Sequence, residues 1–169
     1  MKGLMMDYSL TLTHFFERTR RLFGKKTLAT RVPGAPLFRY TYADFCERTT
    51  RLAGALQALG ITKGDRVGTF AWNSHRHLEI YWAAPLIGGV LHTLNIRLSP
   101  QDLTYIINHA GDSVLLVDAS LWPIIEPIRK DLTTVRHYVI MPDTAGPAPA
   151  GVLDYERSEE RRVGKECRL

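Results

Sequence analysis

Residues 64–95, GDRVGTFAWNSHRHLEIYWAAPLIGGVLHTLN, decide the fold. After a Gly-Asp turn, residues 66–72 form a mostly apolar run, and residues 75–87 space their apolar side chains as a helix does. Ser74 is a suitable cap for this helix, and Gly88-Gly89 separates it from a second apolar run at 90–94. A strand, a crossover helix and another strand form the unit of parallel sheets, so this stretch predicts such a sheet.

The same alternation continues toward the C-terminus. Ser99-Pro100 supplies an N-cap and a proline at the first helical position, and the helix that follows is expected to end near His109. Apolar strands are predicted at 114–117 and 137–141, and between them a helix at 121–132 that Pro127 makes irregular. Four main strands separated by helices predict an α/β fold, a mostly parallel sheet with flanking helices.

Toward the N-terminus the pattern becomes a helix and a hairpin. Apolar spacing predicts a helix at 11–23, and residues 28–32 and 37–40 flank a Pro-Gly-Ala-Pro turn, which is typical of two short strands. Thr41 with Asp44 three residues later is a variant capping box. It begins a long amphipathic helix that Gly60 is expected to end.

The composition is that of one soluble globular domain. The chain has 169 residues, of which 45% are hydrophobic and 23% charged, and its formal net charge is +5. The densest cluster of cations lies around the end of the first helix, at Arg18, Arg20, Arg21, Lys25 and Lys26. Cations there favour the negative end of the helix dipole, so we interpret the cluster as a solvated face rather than a nucleic-acid patch.

Cysteine and hydropathy patterns exclude several protein classes. Cys46 and Cys167 are too few and too far apart for a disulfide framework or a metal site, and Cys46 lies on the apolar stripe of a helix. The first residues contain no long apolar run of the secretory kind. The longest apolar run, at 80–91, is well short of the roughly 20 residues that span a bilayer. We therefore expect a cytoplasmic location.

Few residues could carry chemistry. Gly88-Gly89 precedes a strand, whereas phosphate-binding glycine loops follow a strand and open a helix. The six histidines lack an accompanying set of acidic or thiol ligands, so no metal site is expected. His92 and Asn95 come at the carboxyl end of a predicted parallel strand, where such sheets place ligands, although a polar strand end facing water or the next loop is the alternative. Asn73 is expected to stabilise the turn into the next helix.

Three segments together resemble the adenylate-forming superfamily of acyl-CoA synthetases and luciferases. The first, Tyr40 to Phe45, resembles the family's Leu-Thr/Ser-Tyr-x-Glu-Leu motif, with Tyr, Asp and Phe replacing Leu, Glu and Leu. The second is Gly64-Asp65-Arg66-Val67, which leads through a strand to Asn73. The third, at 86–109, resembles the family's Gly-Ala-Val, Asn-Pro and Leu-Ser stretch, with Ile96 where Pro is usual. The residues at 76–79, 90–93 and 108–110 most resemble those of bacterial medium- and long-chain fatty-acyl-CoA synthetases.

The resemblance implies an enzyme that uses ATP, Mg²⁺ and coenzyme A to convert a fatty acid to its CoA thioester. In the family the phosphate loop, the later acidic and aromatic motifs and the C-terminal lysine lie downstream of this region, and none of them occurs in this sequence. The resemblance therefore carries over no catalytic, cofactor-binding or metal-binding residue, and it implies an inactive N-terminal fragment of a ligase that is a homodimer when complete. The positions that match the family's structural motifs are Thr41, Tyr42, Gly64, Asp65, Arg66, Asn73, Gly88, Gly89 and Asn95.

The last thirteen residues differ in character from the rest. Residues 157–169 have no apolar period, and twelve of them resemble a translated sequencing adaptor, although a genuine charged helix is the alternative. We therefore predict a partial N-terminal AMP-binding domain at 1–156 and a non-native tail at 157–169. Two other functions stay open at this stage: a stand-alone α/β binding or dimerisation module, and an unrelated small α/β enzyme.

Overall fold

A computed structural model describes residues 11–31, 36–143 and 149–160 of the chain, the last three without their side chains. The helices are α1 (Leu12–Leu22), α2 (Tyr42–Ala58), α3 (His75–Leu86), α4 (Pro100–Ala110), α5 (Trp122–Ile125) and α6 (Tyr155–Glu160). The strands are β1 (Thr27–Thr30), β2 (Phe38–Thr41), β3 (Arg66–Phe70), β4 (Val90–Thr93), β5 (Asp112–Asp118), β6 (His137–Met141) and β7 (Leu153–Asp154).

The main sheet has five strands in the order β4-β3-β5-β6-β7, and all its pairings are parallel. This confirms the predicted α/β class. The sequence predicted four of these strands and missed β7, because that strand has two residues and follows a loop rich in Pro, Ala and Gly. β1 and β2 form a separate antiparallel pair. The predicted turn between them falls on 33–36, of which 33–35 lie outside the described residues.

Local capping explains where the helices begin. The capping box of α2 is present, since the Thr41 hydroxyl accepts the Asp44 N–H while the Asp44 carboxylate accepts the Thr41 N–H. The Ser74 hydroxyl accepts the His77 N–H at the start of α3, and the Ser99 hydroxyl accepts the Asp102 N–H at the start of α4. Gly111 ends α4 in the left-handed conformation, at φ 71°. The predicted caps are thereby confirmed.

Alternating side chains of β3 supply two core layers. Val67 belongs to the apolar cluster formed with α2 and α3, whereas Phe70 belongs to the cluster on the opposite face with α4 and α5. Both side chains are completely buried, and burying one side chain of this size contributes about 1.5–3 kcal/mol. A third cluster holds Phe16 of α1 against Phe45, together with Cys46, which is buried as predicted.

The segment predicted as one irregular helix at 121–132 is broken more thoroughly than expected. Only Trp122–Ile125 is α-helical, and the tighter turns Ala119–Leu121 and Glu126–Asp131 flank it. Prolines at 123 and 127 remove two backbone donors from this short stretch, which explains the interruption. In the part of the chain that is described, no helix has the length and apolar content needed to cross a membrane.

Candidate functional site

The sheet has one topological switch point, between β3 and β5. The chain leaves β3 toward β4 on one side, and it leaves β5 toward β6 on the other side. The loops after these two strands therefore diverge and open a crevice at their carboxyl ends. Crevices of this kind are where open α/β sheets bind ligands, so this edge is the candidate functional site.

A chain of hydrogen bonds links the three strand ends at this edge. The backbone N–H of Trp72 donates to the Asp118 carboxylate at 2.6 Å, and the Trp72 indole N–H donates to the Ser120 hydroxyl at 3.1 Å. The N–H of Ser120 donates to Asp143 at 2.8 Å, and its hydroxyl also donates to that carboxylate. The loops after β3, β5 and β6 are thereby tied together.

Asp118 is the group at this edge with the most perturbed titration. Its side chain is buried, and desolvation raises its pKa to about 6, although the hydrogen bond from Trp72 opposes the shift. The negative charge of Asp143 also raises the pKa of Asp118, while Arg76 lowers it. Asp118 can therefore exchange a proton close to neutral pH, a property that functional sites often have.

The His77 ring contacts the end of β3 and the loop that follows it. One ring nitrogen of His77 lies 3.1 Å from the Thr69 hydroxyl, and the other lies 3.2 Å from the Trp72 carbonyl. Burial lowers the pKa of His77, which favours the neutral ring. His77 thus fixes the start of the Trp72 loop. This role of His77 was not predicted, because its partners lie on β3 and just after it rather than on its own helix.

The structure places His92 away from the candidate site. One ring nitrogen of His92 lies 2.8 Å from the Asp112 carboxylate, near the amino end of β5. The contact passes over Gly68 of β3, where an added Cβ would lie 2.9 Å from the Asp112 carboxylate. His92 therefore contacts a buried carboxylate of β5 rather than a ligand crevice, and its ring stays partly exposed.

Asn73 lies in the loop after β3, and Asn95 lies in the loop after β4. The Asn95 side chain accepts the Arg97 N–H at 3.0 Å, so Asn95 forms a turn. Asn73 is exposed beside Trp72 and lines a cavity of about 180 Å³ that also touches His75 and Leu78. The bond that begins α3 comes from Ser74 rather than Asn73.

The remaining motif positions lie at the amino edge of the sheet. The N–H of Gly64 donates to the Gly88 carbonyl at 2.9 Å, and the Asp65 carbonyl accepts the Val90 N–H at 2.8 Å. Gly64 and Gly88 have φ of 89° and 77°, a region that favours glycine. These bonds fix the turn before β3 against the turn before β4.

Arg66 and Gly89 complete this edge. The Arg66 guanidinium donates to the carbonyls of Ala110 and Gly111, at 2.6 and 3.2 Å, and so caps the negative end of α4. A Cβ on Gly89 would approach the Ala84 carbonyl to 3.1 Å. Tyr42, the other motif position after Thr41, packs partly buried against the cluster around Phe16.

A buried charge network under α3 was not predicted at all. Glu79 has no solvent exposure, and it accepts hydrogen bonds from Arg48 at 2.8 Å, from the Tyr155 hydroxyl at 2.7 Å and from the Tyr40 hydroxyl at 3.1 Å. Arg48 also contacts Glu156, which pairs in turn with Arg76 at 2.7 Å. We refer to these six residues as the arginine network. Hydrogen-bonded partners within it are up to 108 positions apart, so no local pattern could reveal it.

The described residues do not bring together a set of ligands for Mg²⁺ by themselves. Among residues 11–31, 36–143 and 149–160, no three His, Cys, Asp or Glu side chains come together as metal ligands. Asp118 and Asp143 are only two carboxylates, and both are engaged by donors of this chain. No step of nucleotide chemistry is therefore derived from this part of the chain.

Comparison with known proteins places these features in a family context. Residues 16–165 match the family described as AMP-binding enzyme. A long-chain-fatty-acid–CoA ligase of Thermus thermophilus is 49% identical over 154 residues, which are 91% of this chain and 28% of that protein. A medium-chain-fatty-acid–CoA ligase of Ectopseudomonas oleovorans is 36% identical over 92% of this chain and 29% of its own length.

Solved structures agree with the fold. A fatty acyl CoA synthetase of Mycobacterium tuberculosis superposes with a TM-score of 0.69 at 27% identity, over 78% of this chain and 26% of the other. The acetoacetyl-CoA synthetase of Streptomyces lividans gives a TM-score of 0.79 at 21% identity, over 89% and 25%. The chain thus spans little more than a quarter of the length of the relatives it matches.

Proposed function

The chain belongs to the AMP-binding enzyme family, and on this premise we propose that it is the N-terminal part of a fatty-acid–CoA ligase. The observation that carries the proposal is the 49% identity to a long-chain-fatty-acid–CoA ligase over 91% of the chain. The complete enzyme would join a fatty acid to coenzyme A with ATP, through an acyl-adenylate. Mg²⁺ would accompany the nucleotide, as it commonly does in phosphate chemistry.

Within that enzyme, the part described here would serve as a scaffold. Contacts at the family's motif positions, such as Gly64 with Gly88 and Arg66 with Ala110, fix turns and helix ends rather than a reacting group. The groups that meet the phosphates of ATP would come from the remaining three quarters of the ligase. We therefore propose that the 169-residue chain has no adenylation activity of its own.

Assembly and location are also proposals. We propose that the complete ligase is a homodimer and that it works in the cytoplasm. We further propose a domain limit at Glu156 and a non-native tail at 157–169. The family match ends at residue 165, within that tail, so it supports neither limit. The limit at Glu156 agrees instead with the position of Glu156 as the last member of the arginine network.

A chimeric enzyme tests the proposed function. Residues 11–156 of this chain would replace the matching segment of the Thermus thermophilus ligase, and thioester formation from palmitate, ATP and coenzyme A would be measured. The ligase proposal predicts thioester formation above a blank without ATP. A chimera with a single cooperative melt and no thioester product would refute it and favour a stand-alone binding module. A chimera carrying Arg48→Met, which disrupts the arginine network, serves as the misfolded control.

A further inference from the structure

A small cavity lies between the β1–β2 hairpin and the start of α3. Its volume is about 180 Å³, and the residues in its wall include Leu28 and Thr30 of β1, Asn73 and Ser74 of the loop after β3, and His75 and Leu78 of α3. The hairpin forms a sheet of its own, apart from the five-stranded sheet against which α3 packs. A ligand in this cavity would therefore contact both parts of the fold.

Four side chains in the cavity wall have hydrogen-bonding groups that the described residues do not use. His75 is only 7% exposed, yet its Nδ1 is buried without a hydrogen-bond partner among the described residues. Thr30 is 9% exposed, and no described residue bonds its hydroxyl. The Ser74 hydroxyl accepts the His77 N–H at 3.3 Å, which leaves its proton available, and the Asn73 amide is exposed. Because buried polar groups are normally hydrogen-bonded, this set indicates a site that receives a hydrogen-bonding ligand.

The charges around the cavity favour a negative group. Ser74 is the N-cap of α3, a helix of 12 residues, so the positive end of the helix dipole lies at the cavity wall. Burial lowers the pKa of His75 to about 4, and the charges of Arg76 and Arg48 lower it further against the opposing charge of Glu156. The ring is therefore neutral at pH 7, and the two arginines outweigh the acid at this point, so an anion would be attracted.

The rest of the wall is apolar. Leu28, Ala29 and Leu78 supply aliphatic side chains, and none of the described residues that line the cavity is an acid, a lysine or an arginine. An apolar cavity of about 150 Å³ holds benzene, a ligand of about six heavy atoms. The volume of about 180 Å³ therefore suits a ligand of similar size with one polar and one apolar end.

We propose that this cavity binds a short-chain monocarboxylate of about two to four carbon atoms, such as butyrate. The carboxylate would accept hydrogen bonds from the Ser74 and Thr30 hydroxyls. The His75 ring, whose Nδ1 is buried within the wall, would turn its N–H toward the carboxylate, and the alkyl chain would pack against Leu28 and Leu78. The site is distinct from the crevice at the carboxyl ends of β3 and β5, and the proposal does not depend on the ligase function.

Three other occupants fit the cavity less well. An ordered water would bond the polar groups but would give no role to the aliphatic side chains. Inorganic phosphate carries more than one negative charge, and no cationic side chain is among the described residues that line the cavity. A neutral alcohol of the same size would gain little from the positive end of α3. A monocarboxylate with a short alkyl chain satisfies the polar groups, the charge and the apolar wall together.

Nuclear magnetic resonance titration of the 169-residue chain with sodium butyrate tests the proposal. The Cε1–H signal of His75, assigned by its loss in His75→Phe, should shift and saturate at about 1–10 mM, because so small a ligand has limited binding free energy. The signal of His109, on the exposed side of α4, should not shift. Sodium chloride at equal ionic strength controls for charge, 1-butanol controls for the alkyl chain, and sodium phosphate controls for a general anion.

Matched variants separate the cavity from the rest of the molecule. Ser74→Asp keeps a capping oxygen but places a carboxylate in the cavity wall, so butyrate affinity should fall by at least about tenfold. Ser99→Asp makes the same change at the cap of α4 and should leave the affinity within about twofold. Thr30→Val removes one hydroxyl at similar shape and should weaken binding about fivefold, whereas Thr49→Val, at a completely buried threonine of α2, should not. Circular dichroism melts would establish that each variant is folded.

Several outcomes would overturn the proposal. It fails if butyrate shifts the His75 signal no more than sodium chloride does, which would mean that the cavity holds water only. Equal binding of 1-butanol would make the site a general apolar pocket, and equal binding of phosphate would mean an adventitious ion only. The proposal also fails if the folded Ser74→Asp and Thr30→Val variants both bind butyrate as the parent does.

Discussion

The arginine network and the strand-end site, the candidate functional site at the carboxyl ends of β3, β5 and β6, bury carboxylates in contrasting ways. Glu79 and Asp118 are both almost fully buried, at 0% and 1% exposure. Glu79 faces a guanidinium and two hydroxyls, so its charge is compensated where it lies. Asp118 is held by a backbone N–H, close to the acidic Asp143. The first arrangement stabilises a fold, whereas the second leaves a carboxyl that gains or loses a proton easily.

The two regions should also respond to pH in opposite directions. Near the arginine network, burial and the charges of Arg76 and Arg48 lower the pKa of His75 to about 4. Burial acts against Glu156, but the bond from Arg76 and the charge of Arg48 leave its pKa lowered. Both shifts make the unfolded chain bind more protons in acid, so this region loses stability as pH falls. Because the pKa of Asp118 is raised, the strand-end site loses stability as pH rises.

The largest effect is expected from Arg48→Met. This change keeps most of the side chain's volume but removes the guanidinium, and it leaves the completely buried Glu79 without its cation. Removing one partner of a buried ion pair destabilises by about 3–5 kcal/mol. Urea unfolding at pH 7 measures the loss. Arg51→Met, which breaks the exposed pair with Glu47, should cost no more than about 0.5 kcal/mol. Equal losses in both variants would contradict the importance of the network.

Asp118→Asn should change how stability depends on pH. The folded chain holds the Asp118 proton more tightly than the unfolded chain, so the parent loses stability as pH rises from about 4 to about 6. The asparagine variant lacks this loss. At pH 7 it should therefore be more stable than the parent by about 1–3 kcal/mol, and at pH 4 the two should be similar. Urea unfolding at both pH values is the measurement, and a variant that is less stable at pH 7 would show that Asp118 is compensated like Glu79.

His75→Phe should produce a smaller gain. The His75 ring packs against Phe38 and Tyr40, with ring centres at 4.6 and 5.8 Å, and its Nδ1 is buried without a hydrogen-bond partner among the described residues. A phenyl ring keeps the packing and removes the unpaired nitrogen, so a gain of about 1 kcal/mol is expected at pH 7. Because the parent loses stability as its unfolded histidine takes up a proton, the gain should grow between pH 6.5 and pH 4. A gain that shrinks in acid would show that folding does not lower the pKa of His75.

The smallest effect is expected from removing residues 157–169. The six described members of the arginine network all precede residue 157, so a shortened chain keeps every one of them. The thermal midpoint should move by no more than a change of about 0.5 kcal/mol would cause. Differential scanning calorimetry of the two chains measures it. A clear loss of stability would mean that the tail packs against the domain and contributes to its stability.

Local sequence patterns predicted the helices and most of the strands. The polar contacts that the sequence did not predict join residues that are far apart along the chain. Thr41, Ser74, Ser99 and Gly111 mark helix ends through bonds to near neighbours, so their roles could be deduced from spacing. The strand-end site could be predicted only in outline. The rule for parallel sheets located the edge, but the sequence could not show that β5 rather than β4 meets Trp72 there.

Partners that are distant in sequence remained hidden. His92 contacts Asp112 because Gly68 of the intervening strand has no side chain, and this requires knowledge of the strand order. The arginine network joins α2, α3 and α6, whose relative placement no period reveals. Both cases show that buried polar contacts depend on topology, whereas helix caps do not.

The central claim is that this chain belongs to a ligase but carries none of its adenylation chemistry. ATP–pyrophosphate exchange by the purified 169-residue chain tests that claim most directly, with palmitate, ATP and Mg²⁺ and with the complete Thermus thermophilus ligase as the positive control. The account predicts exchange by the complete ligase and none by this chain above a blank without fatty acid. Exchange by this chain that depends on fatty acid and is reduced in Asp118→Asn would contradict it, because the strand-end site would then be catalytic.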